Sequence, residues 1–206
     1  EHIVNHSDYN VLVMADELDA PRLRALSDTT RAWSDAGNPP PMMFTEEEWR
    51  ESSDVFPMEY ADMLDRHKIL FGDSPFDGIR VDRADLRLQL EHEARGKLLA
   101  LRQGVLASAG DGKAELRMLA STVSTIMVVF RAVERLRGQR PSRDNLALVR
   151  SVAAAAGVEA EPFERAVRHV RGESKLAPAD APPVLDGYLR GVEAVVRFLD
   201  AYTAEG

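Results

Sequence analysis

Ser7-Asp8-Tyr9-Asn10-Val11-Leu12-Val13-Met14 is a polar tetrapeptide running directly into an apolar segment, and its reading decides the fold of the N-terminal region. A short apolar run of this kind, closed by Ala15-Asp16-Glu17, reads as a buried strand. Alternate side chains of a strand share a face, so Asp8 and Asn10 point one way and Tyr9 the other. Two oxygen-bearing side chains then converge at the mouth of the strand, which is a donor arrangement suited to a hard cation such as Mg²⁺. The same Ser-Asp-x-Asn also reads as ordinary turn chemistry, with the side chains bonded to local backbone.

Outward from this strand, Leu23, Leu26, Thr30 and Trp33 recur at helical spacing behind Pro21, and Gly37 closes the helix they predict. Asn38-Pro39-Pro40-Pro41 is a stiff connector into a second short strand at Met42-Met43-Phe44. Thr45 and Glu48 form a capping box, so Glu46 and Glu47 belong to the start of a short helix that runs to about Ser53. Met58 to Leu64 is read as a further strand. On that strand Glu59, Ala61 and Met63 share one face while Asp62 lies on the other, so the two acids cannot serve one metal.

From Asp82 the pattern becomes helical. Leu86, Leu90, Ala94, Leu98, Leu101 and Val105 make one stripe, and the chain from about Ala114 to Leu136 is apolar over most of its circumference, as the centre of a bundle requires. Further helices are expected from Ser142 to about Gly157, from Pro162 to about Gly172 and from about Val184 to Ala201. The fold class is therefore α+β: a small mixed sheet with flanking helices in residues 1–80, then an up-and-down helical bundle in residues 81–206.

Across 206 residues, 45% hydrophobic and 29% charged side chains describe an ordinary globular chain. A net charge of -8 argues against nucleic-acid binding by broad phosphate neutralisation. With no cysteine, disulfides and thiolate metal sites are excluded, and a reducing, cytoplasmic setting is expected. No long uncharged apolar run or signal peptide is read, so no membrane association is expected. His2, His6, His67, His92 and His169 lack the spacing of a zinc hydrolase, and neither a nucleophile elbow nor a phosphate loop is found.

Ser7-Asp8-x-Asn10-Val-Leu-Val resembles the metal-binding strand of the polymerase-β-like nucleotidyltransferase superfamily. Phe56 to Asp65, followed by His67 to Asp73, is similar to its third-carboxylate strand and the stretch after it. Leu86 to Leu99 resembles the first long helix of the helical domain in bacterial, aminoglycoside-modifying members. The resemblance implies Mg²⁺ held by Asp8, Asn10 and Glu59, and transfer of a nucleoside monophosphate from a nucleoside triphosphate to a hydroxyl acceptor. Within it, Ser7 and Lys97 would meet the nucleotide, and Glu91, or Glu93, would act as base.

Those helix acids read equally as surface charges paired with Arg87, Arg95 and Lys97. Two departures qualify the match. No Gly-Ser dipeptide precedes Asp8, so the resemblance implies an N-terminally incomplete copy of the domain, and Asn10 stands where the pattern has a carboxylate. Both departures point to the alternative of a catalytically inactive binding or regulatory module. A third reading is a homodimer formed through an exposed apolar patch on the bundle.

Overall fold

The computed structural model describes residues 10–202. The described residues form two compact units, one of residues 10–54 with 66–80 and one of residues 55–65 with 81–202. Together they are mainly helical with a small two-stranded parallel sheet, a mixed α+β class.

In the first unit β1 (Leu12–Met14) pairs in parallel with β2 (Met42–Phe44), Leu12 opposite Met42 and Met14 opposite Phe44. Parallel neighbours need a crossover, and here it contains two helices, α1 (Ala20–Ala25) and α2 (Ser27–Asp35), where the periodicity predicts one. Asp19 caps α1 by accepting from the Arg22 N–H at 2.8 Å. The capping box closes α3 (Glu46–Glu51) as read: Thr45 accepts from the Glu48 N–H at 3.2 Å, and Glu48 accepts from the Thr45 N–H at 2.8 Å.

Trp49 is the unit's one buried hydrophobic side chain among the described residues. Its ring meets Phe44 at 5.5 Å and Phe76 at 5.7 Å, both edge-on, and its indole N–H donates to the Pro75 carbonyl at 2.7 Å.

The second unit contains α4 (Pro57–Asp65), α5 (Arg83–Ser108), α6 (Gly112–Leu136), α7 (Asn145–Ala156), α8 (Glu161–Val170), a single 3₁₀ turn (Pro178–Asp180) and α9 (Ala181–Ala201). The strand expected over Met58–Leu64 is thus a helix. Pro57 fits a first helical turn, where its missing N–H costs nothing, and Glu59 sits favourably at the positive end of the helix dipole. The Gln89 side-chain oxygen accepts from the Met58 N–H at 2.8 Å, a cap delivered from α5. Pro182 and Pro183 likewise stand in the first turn of α9, which therefore starts at Ala181.

α6 packs against α5, α7, α8 and α9 and contributes the largest share of the core, with Leu119, Ile126, Phe130, Val133 and Leu136 essentially free of solvent. By length and composition α6 is the one described helix that could cross a membrane, and it packs against four neighbouring helices. Phe163 of α8 packs between Phe130, at 5.1 Å, and Tyr188, at 4.7 Å. Gly191 makes this approach feasible, because a Cβ there would lie 2.3 Å from the Phe163 ring.

Arg135, at the end of α6, is almost buried and fixes α4 by donating to Asp65 at 2.7 Å and Asp62 at 2.8 Å. Arg135→Met should therefore lower stability by about 1–3 kcal/mol, read from the urea midpoint, towards the lower figure because Asp62 keeps access to water.

Tyr188 supplies a pH signature. Its hydroxyl is buried, and the Thr122 side chain falls short of hydrogen-bonding geometry with it. Burial pushes its titration well above the usual phenol range, with Thr122 countering part of the shift. Above about pH 10 the unfolded chain loses a proton that the folded chain keeps, so stability falls as pH rises, by up to about 1.4 kcal/mol per pH unit. Tyr188→Phe should remove that share of the alkaline decline and be near neutral at pH 7, as measured by thermal melts across the alkaline range.

Candidate functional site

Ser7 and Asp8 lie outside the described residues. Asn10 is exposed immediately ahead of β1, at the end where the strand pair begins: the Met42 N–H donates to the Val11 carbonyl at 2.9 Å. An Asn at this point offers one neutral oxygen to a cation.

Glu59 occupies the first turn of α4, and its Oε2 accepts from Gln89 Nε2 at 2.9 Å. The Gln89 amide is used at both ends, since its oxygen holds the Met58 N–H. Glu59 is therefore half of a clamp between α4 and α5. Asp62 and Asp65, three residues apart on the same helix, are both taken by Arg135.

Glu91 lies on α5 within a chain of charges. It is 3.4 Å from Arg87 and 3.2 Å from Arg95, while Arg95 reaches on to Asp200 of α9 at 2.5 Å. The Glu91 hydrogen bond, with the charge of Asp200, holds the Arg95 guanidinium even more firmly protonated than usual. Arg87 also donates to the Tyr202 carbonyl at 3.0 Å, so the acid is part of the docking of α9 on α5. Lys97 pairs with Glu93 at 3.3 Å on the surface of the same helix.

Among the described residues no group of three or more His, Asp or Glu side chains gathers as a metal site. The donor set implied by the resemblance thus reduces, within the described chain, to the Asn10 amide and a Glu59 already hydrogen-bonded by Gln89.

Two depressions were found among the described residues, neither lined by Asn10, Glu59, Glu91, Glu93 or Lys97. On the bundle, a groove of about 530 Å³ lies beside Gly157, Pro162, Gly187 and Gly191, with Arg190 and Arg197 among its walls. Gly187 and Gly191 are explained by packing, since a Cβ would strike Pro162 at 2.5 Å and Phe163 at 2.3 Å, and Gly157 by its left-handed conformation at the end of α7. In the first unit, a mostly apolar groove of about 420 Å³ opens at the carboxyl end of β1, beside Ala15 and Met43.

Residue-by-residue reading did not find the Gln89 clamp or the double bridge from Arg135. The acids spaced for one helix face, Asp62 and Asp65, were the available signal for the second. No family model, curated protein or solved structure matches the chain.

Proposed function

We propose that the chain is a nucleotidyltransferase-like protein acting as a nucleotide-binding or regulatory module, without transfer chemistry of its own. The observation that carries this reading is the engagement of Glu59. Its Oε2 accepts from Gln89 Nε2 while Gln89 Oε1 caps α4, so Glu59 already has a structural task in holding α4 to α5. Asn10 supports the same conclusion, because transfer with two metal ions uses anionic ligands able to bridge both. Asp8 with Asn10 would suffice to hold one Mg²⁺, which would neutralise part of the charge on a triphosphate.

The ordered sequence blocks favour a second reading. In it, nucleoside monophosphate passes to a hydroxyl acceptor, with Asp8, Asn10 and Glu59 as the metal ligands, Ser7 and Lys97 at the phosphates, and Glu91 as base. Incubation with Mg²⁺ and α-labelled nucleoside triphosphates separates the two. A binding module retains label on a filter without releasing pyrophosphate; pyrophosphate release abolished by Asp8→Ala establishes the transferase, and no retention of any nucleotide rejects both.

A further inference from the structure

The first unit carries an exposed apolar tip on a fixed base. Ile69, Leu70 and Phe71 are consecutive and 39%, 76% and 97% exposed. The base is an aromatic ladder: the His67 ring stacks on Phe76 at 4.0 Å, and Phe76 stands edge-on to Trp49. Gly72, at φ +77°, turns the chain after the tip, a backbone conformation that favours glycine. A contiguous apolar tip in water contributes nothing to the core and marks a surface for another molecule. Arg66 and Lys68 precede it and Asp73 follows it; both cations are exposed and form no ion pair with a described residue.

The same unit carries a surface of opposite character. The groove at the carboxyl end of β1 is walled by Leu18, Leu23, Leu26 and Met43, and neither α1 nor α2 buries a single residue. Crevices at the carboxyl ends of parallel strands are where open α/β units take ligands. Here Asp16 and Glu17 are the acids of the groove lining, and Arg22, its one cation, is already paired with Glu17 and with the neighbouring Asp19. An acidic rim repels phosphate and selects an apolar group with cationic flanks. Phe71, at 97% exposed, is not seated in any groove of its own chain.

We propose that this groove receives the Ile69-Leu70-Phe71 tip of a second copy of the chain, with Arg66 and Lys68 of that copy set against Asp16. Reciprocal docking uses both tips and both grooves and closes as a two-fold dimer. The pairing is independent of the nucleotide-binding proposal, since it uses neither Asp8 nor Asn10.

The test is sedimentation equilibrium of the 206-residue chain. The expected mass is twice 22.8 kDa, and Phe71→Asp should weaken association at least about tenfold, since truncating a central aromatic anchor removes a large share of interface affinity. Phe71 is so exposed that the variant should keep the wild-type circular dichroism. Leu26→Asp spoils the groove and should weaken association similarly, while mixing the two variants should restore part of it, because one intact tip then meets one intact groove. A monomer throughout, or a dimer indifferent to Phe71→Asp, overturns the proposal. So does Phe71-dependent binding to mixed phosphatidylcholine and phosphatidylserine vesicles by a chain that stays monomeric, which would assign the tip to a membrane surface.

Discussion

Trp49→Ala is expected to unfold the first unit while the bundle stays folded. Trp49 is the only hydrophobic side chain that this unit buries among its described residues, and three contacts depend on it: Phe44, Phe76 and the Pro75 carbonyl. Removing a buried Trp costs about 3–5 kcal/mol, comparable with the whole stability of a small unit. Both tryptophans of the chain, Trp33 and Trp49, lie in this unit, so Trp33 emission reports on it alone. In the variant, Trp33 emission should already be that of solvent-exposed indole in buffer, while the far-UV helical signal keeps a cooperative melt. Loss of both signals together would show that the units are one folding entity.

Phe163→Ala is the counterpart in the bundle. Phe163 is fully buried between Phe130 and Tyr188 and packs against the bare backbone of Gly191. Truncation leaves a cavity that three helices line and none can fill, so the cost should be about 3–5 kcal/mol. Far-UV melting should shift to lower temperature, with Trp33 and Trp49 emission changing little below the transition. A cost under about 1 kcal/mol would mean that the site collapses and that the ring packing is not decisive.

Much of this architecture was legible in the sequence. The bundle helices announced themselves through apolar stripes and, at the first of them, the cap Asp82; the caps Asp111 and Asp144, each accepting from a first-turn N–H, are shown by the structure. Thr45 and Glu48 declared α3 within four residues, and the β1 and β2 runs were short, apolar and bounded by turn residues. Met58 to Leu64 was misread because its alternating apolar residues satisfy a strand pattern as well as a helical one. Pro57 favoured the helix locally, but the cap that settles it comes from Gln89, far along the chain.

The candidate site was legible to a smaller degree. The four-residue pairing of Glu91 with Arg87 and Arg95 was visible in the numbering. The hydrogen bond from Gln89 to Glu59 was not, because no periodicity encodes a contact between separate helices.

A calorimetric titration of Mg²⁺ with ATP into the wild-type chain, Asp8→Ala and Glu59→Gln tests the functional reading most directly. The expected result is saturable heat for the wild type, its loss in Asp8→Ala, and an affinity within about twofold of wild type in Glu59→Gln, whose amide can still accept from Gln89. Absence of heat from the wild type, or a loss in Glu59→Gln as complete as in Asp8→Ala, would contradict it.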